Sequence, residues 1–363
     1  MQKKILALAV AGLFSGAAFA QTNVTVYGAA DVTFDNVKSE GAAAAGFNLP
    51  ARNRVSANAS FLGFRGSEDL GGGLRAVFQF EGGVSNDAAV TGVGFSFNRD
   101  SFVGLAGGFG TVAAGILTGP TRGLGTTMDP FAGANGITVN TGLLGKLGGG
   151  AGASQFDTRW NNAIAYTSPT FSGMTVTAAY VANENKTSDG FAGTAGQLDT
   201  YGYDLGLRYS LGPILAGLTY NQVSIGDTAN TETAATRAAF RYNFGQGTVG
   251  LVWDRVELEA TGIDRKRNAW FLPVTFNVTP TGKIVAQYGQ AGDVSGLSNT
   301  GAKLFALGYE HSLSKRTIVK AVWSQISNEA GANYGFGANP IGVGVGAAGA
   351  DPRGFQVGVR HSF

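Results

Sequence analysis

Three features predict an all-β chain closed into a 16-stranded antiparallel transmembrane β-barrel. Apolar and polar residues alternate with period two along most of the chain, short and long links alternate strictly, and the composition is rich in glycine but poor in charge. Of 363 residues 58 are Gly, 9 are Pro and only 14% are charged, where ~25% is usual. The glycines follow no Gly-X-Y period, which excludes collagen. After the first segment no apolar run reaches the ~18 residues of a membrane-spanning helix, so a helical membrane protein is excluded as well. With no Cys and two His, the chain offers no thiolate chemistry and no His/Cys metal cluster, and no cofactor, metal or catalytic group is expected.

Residues 1–20 read as a secretory signal peptide. Lys3 and Lys4 precede the apolar Ile5–Phe14, and Ala18-Phe19-Ala20 supplies a small-x-small cleavage site. Residues 21–363 are then the barrel. Without those two lysines the basic residues only equal the 24 acidic ones, so net charge gives no reason to expect a nucleic-acid partner.

The first predicted strand, Val24–Phe34, sets Val, Val, Gly, Ala, Val and Phe on one face and Thr, Tyr, Ala, Asp and Thr on the other. Leu74–Glu81 repeats the pattern: Leu74, Ala76, Phe78 and Phe80 oppose Arg75, Val77, Gln79 and Glu81. Phe355–Phe363 does the same at the C-terminus. Seven short links are legible, at 66–73, 107–110, 168–173, 210–213, 243–247, 279–283 and 312–316. Eight longer segments alternate with them, near 36–53, 83–95, 118–158, 183–199, 224–231, 259–263, 291–301 and 328–353. Fifteen links separate sixteen strands and put both chain ends on the short-turn side, as in bacterial outer-membrane barrels. Sixteen strands leave an aqueous bore. Tyr27, Tyr166, Tyr180, Tyr220, Tyr288, Tyr309, Trp253, Trp270 and Phe363 are candidates for interfacial aromatic girdles.

Several segments resemble the general diffusion porins of Gram-negative bacteria, above all the beta-proteobacterial type. They include Val26–Val32, Gly63–Gly83, Phe97–Gly115, Arg159–Gly173, Tyr242–Gly247, Gly308–Thr317 and Asp351–Phe363, and they run from the first strand to the last. The resemblance implies an outer-membrane homotrimer in which each barrel passes small hydrophilic solutes and ions by diffusion. It implies outer-membrane lipid around the barrel and recognition of the terminal Phe363 by the barrel-assembly machinery. By the same analogy loop 83–95 is a candidate latch between subunits.

The longest link, 118–158, is long enough to be functional in its own right. By resemblance it folds into the bore and narrows it, and Met128-Asp129-Pro130-Phe131 matches the family's turn there, which makes Asp129 a candidate acidic rim residue. Arg122 lies in the same loop. Parity directs Arg75 and Glu81 to the lumen, and Arg99 and Arg159 stand where the family sets wall arginines. Arg208, Arg237 and Arg241 alternate with apolar neighbours and are also expected to face water. Phe61 departs from the pattern by replacing an expected arginine, and Ile116 replaces another. Two expectations follow: a weakly selective pore, or an aromatic wall patch that favours amphipathic or sugar-like solutes.

Rival readings are weaker. Gly344–Gly349 has the spacing of a dinucleotide loop but no helix after it. His311 and His361 have no nucleophile signature near them. A plugged or non-conducting barrel with an adhesive or structural role is the alternative from another class.

Overall fold

The computed structural model describes residues 23–87, 96–148, 156–184, 186, 199–226, 230–337 and 347–363. The signal-peptide reading of 1–20, most of the proposed latch and the first half of the glycine loop at 344–349 lie outside those residues. In chain order the strands are β1 (Asn23–Glu40), β2 (Leu49–Ala57), β3 (Phe61–Gly71), β4 (Leu74–Gly83), β5 (Ser101–Gly107) and β6 (Gly110–Thr118). Helix α1 (Pro120–Met128) and two 3-10 turns (Gly136–Thr138, Asn140–Gly142) follow. The wall resumes with β7 (Arg159–Thr167), β8 (Met174–Val181), β9 (Thr200–Leu211), β10 (Ile214–Ile225), β11 (Thr231–Asn243) and β12 (Gly247–Ala260). It ends with β13 (Ile263–Asn277), β14 (Gly282–Ala291), β15 (Ala302–Ser312), β16 (Thr317–Asn328) and β17 (Asp351–Ser362).

Seventeen hydrogen-bonded segments make sixteen staves, because β2 and β3 pair in succession with the same partner, β1. The break lies at Asn58–Ser60, where Ala59 takes φ +47°. It is a bulge with a purpose: Asn58 and Ser60 turn inward, and the Ser60 hydroxyl accepts the Asp31 amide at 2.9 Å. Every pairing is antiparallel, and β1 closes on β17 from Ala29↔Ser362 to Glu40↔Asp351. Beyond that register Gly28 and Phe363 exchange two backbone hydrogen bonds of 3.1 Å each. A Cβ on Gly28 would stand 2.7 Å from the Phe363 ring, so glycine is what lets the terminal residue lie against β1.

Closure satisfies every stave's neighbours and leaves side chains to sort by parity. On β1 the residues Asp31, Thr33 and Asp35 are buried inside while Val26 and Phe34 face out. Leu218, Trp270, Leu307 and Phe355 likewise form an exposed apolar outer wall. The apolar core lies within the bore, where Leu124, Met128, Ile137, Leu143 and Leu144 of the long link pack on Val37, Phe271, Leu304 and Ile326 of the wall.

Most predicted links are observed within a residue or two. Beyond the expected ends, the link after β4 runs on until β5 starts at Ser101, and the last link stops where β17 starts at Asp351. Two further exceptions have physical causes. β3 runs on to Gly71, and the reversal uses Gly71, Gly72 and Gly73 at φ +87°, +61° and +81°, so the expected turn at 66–73 shrinks to its glycines. β1 continues through the polar Asn36–Glu40 because those residues still pair with both neighbours. Tyr27 belongs to no girdle, since it points inward and donates to Glu81 at 3.1 Å.

Leu218 sits mid-strand on the lipid face. Leu218→Arg should destabilise the folded barrel by ~2–4 kcal/mol, the cost of a guanidinium at the bilayer midplane. The unfolding midpoint in lipid vesicles measures it, and an unchanged midpoint would contradict the assigned facing.

Candidate channel constriction

The long link can cross the bore only if its backbone polar groups find partners there. Wall side chains supply them. Gly119 has no room for a Cβ, which would stand 2.1 Å from the Asp204 carboxylate of β9. Pro120 opens α1, and Asp204 takes the place of an N-cap by accepting the Thr121 amide at 3.2 Å and its hydroxyl at 2.7 Å. At the other end Arg241 donates to the Thr127 carbonyl at 2.8 Å. A carboxylate at the N-terminus and a guanidinium at the C-terminus both match the helix dipole.

Beyond α1 the pattern continues. Glu310 of β15 accepts the Ala132 amide at 2.7 Å, Gln356 of β17 the Ile137 amide at 3.3 Å, and Asp254 of β12 the Gly145 amide at 2.6 Å. Gln287 donates to the Thr138 carbonyl, and Arg267 to the carbonyls of Leu143, at 3.2 Å, and Lys146. Arg237, fully buried, binds both Asp157 oxygens at 2.7 Å, the Thr121 carbonyl at 3.0 Å and Asp254 at 3.1 Å. The link is thus fastened to β9, β11–β15 and β17 on the inside of the barrel.

On the side of β1–β7 a different group gathers. Arg99, just before β5, pairs with Glu81 of β4 and lies over the Phe61 ring at 4.7 Å. Arg159, the first residue of β7, binds Asp100 at 2.7 Å and reaches Glu81 at 4.0 Å. Asp100 also accepts the Thr118 amide at 2.7 Å and so anchors the start of the link. Arg122 on α1 donates to the Asp157 carbonyl. Burial, and after it the nearby Arg159, hold Arg122 below the usual guanidinium range.

The residues singled out from sequence therefore separate into groups. Phe61, Glu81, Arg99, Arg159 and Arg122 come together. Arg75 does not: it is exposed near the short-turn end of β4, about 20 Å along the strand from Glu81. Asp129 presents no free carboxylate at a rim, because its oxygens accept the Phe131 and Asn140 amides at 3.1 and 2.9 Å. Phe363 stands on the outer surface at the seam. Arg237 and Arg241 face inward but bind the link, and Arg208 remains exposed. Sequence reasoning passed over Asp31, Asp204, Asp254 and Arg267. Each is a charge at inward parity on a strand, and that was the available signal. Asp31 gathers Lys320 at 2.8 Å and Arg360 at 3.2 Å beside the seam.

A closed sixteen-stave wall with an apolar outside, a charged inside and a link fastened across the bore defines an outer-membrane channel. The chain belongs to the Gram-negative porin family, whose profile matches residues 7–331. It is 34% identical over 368 residues to outer membrane porin protein 32 of Delftia acidovorans, and the match spans 100% of both chains. Among solved structures, an anion-selective porin from Comamonas acidovorans is 31% identical and superposes with a TM-score of 0.79 over 94% of this chain and 100% of that one. A trimer form of OmpT from Vibrio cholerae, 15% identical, shares the fold at a TM-score of 0.64 over 94% of this chain and 99% of its own. The protein is an outer-membrane porin that passes solutes passively, and its family and fold point to a channel.

Removing Arg237 would take the bidentate partner from Asp157 and leave Asp254 with Arg267 at 3.8 Å. Arg237→Met should destabilise the fastened loop by ~3–5 kcal/mol, the cost of an uncompensated buried charge, and open it to proteolysis. Unchanged resistance of the loop to protease would refute the fastening role.

Burial pushes the Asp129 carboxyl up to about 7, against the two amides that favour its charged form. A carboxyl with a raised folded pKa binds its proton more tightly in the folded state, so the loop should loosen as pH rises from about 4 to about 7. Protease sensitivity across that window reads the effect, and Asp129→Asn should flatten it.

Proposed function

We propose that the loop 118–158 and the facing group Phe61, Glu81, Arg99, Arg122 and Arg159 form the constriction that filters solutes by size and charge, with a weak preference for anions. The observation that carries the reading is Glu81, which pairs with Arg99 and reaches Arg159 at 4.0 Å. Three guanidiniums here face two carboxylates, Glu81 and Asp100, because Asp157 is already bound by Arg237. The surplus is one positive charge, and a narrow bore focuses it. With Phe61 in place of a fourth cation, that surplus stays small. The anion-selective relative, 31% identical, supports the sign.

The same reading takes residues 1–20 as a signal peptide removed on export, 21–363 as the barrel, three such chains as the working assembly, and Phe363 as the signal read by the assembly machinery. The trimer form of a protein with this fold supports the assembly.

Planar-bilayer recording tests both parts. Closure of single channels in thirds is expected, together with a small reversal potential of anion sign across a potassium chloride gradient. Phe61→Arg and Glu81→Gln should each strengthen the anion preference. A cation-signed potential in the wild type, or no response to either substitution, would overturn the assignment.

A further inference from the structure

The lumen holds a second feature that the constriction does not use. On the short-turn side of α1 lies a cavity of about 610 Å³, within the ~300–1,000 Å³ range of small-molecule sites. Its roof is apolar, made by Pro120 and Leu124 of α1. The opposing wall is a field of hydroxyls. Thr167 pairs in register with Thr177, Thr177 with Gly206, and Gly206 with Thr219, so three threonines form one belt across β7–β10. One step toward the short turns Thr175 stands beside Arg208 in register, and the Thr170 hydroxyl meets that of Thr175 at 3.0 Å.

Two observations turn this vestibule into a site. The first is charge. Arg208 is the single ionisable group among the described residues lining it, is exposed, and faces no lining carboxylate. The nearest wall acid along β9, Asp204, is committed to Thr121 at the start of α1. The second is the accessible hydroxyls: Thr170 is exposed, and Thr167, Thr175 and Thr177 are half-buried along the same lining. Their hydroxyls can both donate to and accept from a ligand's own hydroxyls. Gly206 makes the geometry possible: a Cβ there would stand 2.4 Å from Pro120, so the roof closes directly over the belt.

We propose that this vestibule is a solute subsite for small polyhydroxylated carboxylates, the sugar-acid class. The carboxylate would pair with Arg208, the hydroxyls would exchange hydrogen bonds with Thr167, Thr170, Thr175 and Thr177, and the C–H face would lie against Pro120 and Leu124. Such a molecule matches the wall on three counts at once. A neutral sugar lacks the charge, and a simple inorganic anion lacks the hydroxyls and the apolar face. The inference rests on the open channel but not on the ion preference assigned to the constriction.

Gluconate added to single channels in a planar bilayer is the test, with glucose and chloride as comparisons. Gluconate should interrupt the current in a saturable, concentration-dependent way, and glucose should do so far more weakly. Arg208→Gln should weaken the block at least about tenfold, the loss of one charge-assisted hydrogen bond. Thr175→Val should weaken it less, and Arg99→Gln should leave it in place while shifting the reversal potential. Detergent-resistant oligomers on gels confirm that each variant is folded. The proposal is overturned if conducting wild-type channels show no gluconate block, if glucose blocks equally, or if Arg99→Gln abolishes the block while Arg208→Gln does not. The ion preference has its own separate reading in the chloride reversal potential.

Discussion

Arg237 is the interaction on which the interior depends. Completely buried, it binds a carboxylate of the returning link, Asp157, a carboxylate of the wall, Asp254, and a carbonyl of α1, Thr121. It therefore joins the two ends of the loop and the wall at a single point. Water could satisfy the loop's backbone in an open bore, but it would not fix its position. Fixing comes from charge-assisted bonds in a place of low dielectric, which are shorter and stronger than neutral ones. Arg267 repeats the device one strand further on by donating to the Lys146 and Leu143 carbonyls.

The barrel and the loop solve opposite halves of one problem. The wall satisfies its own backbone through its neighbours and exports its apolar side chains to lipid. That leaves a polar lining with side chains to spare, and the loop consumes them. Asp204, Asp254, Glu310 and Gln356 each accept a loop amide, so the carboxylates that parity sends inward are fasteners before they are filters. The small hydrophobic core around Leu143, Phe271 and Leu304 then excludes water on that side of the bore.

The architecture was legible because parity, turn chemistry and link length are local properties. Val24–Phe34 and Leu74–Glu81 each declare two faces, and Gly107–Gly110 is the turn its glycines announce. The sixteen-stave count follows from links alone, and the bulge at Ala59 does not disturb it. The interior was less legible. Parity can say that Arg237 and Asp204 point inward, but not that a segment more than eighty residues away will meet them. Asp129 looked like a free rim charge because its role is set by two amides of its own loop, which depend on loop geometry. Tyr27 shows the limit of composition: an aromatic near a strand end reads as girdle, yet its odd position beside Val26 sends it to Glu81.

A chain of small net charge, +2, can still carry a charged pore, because most of its charges are already spent. Asp31 is matched by Lys320 and Arg360, Asp35 by Arg54, and Asp254 by Arg237 and Arg267. Paired groups at a few ångströms look like dipoles from across the bore, and their fields fall away quickly. The field a solute meets is set by the few groups left over, and the counting must be local. Near Phe61 the remainder is one guanidinium in three, held in reserve by Glu81's sharing between Arg99 and Arg159. In the short-turn vestibule it is Arg208, the single ionisable group among the described residues that line it. Two weak, separated attractions of the same sign suit a diffusion channel better than one strong one, since binding must be firm enough to draw a solute in and loose enough to let it leave.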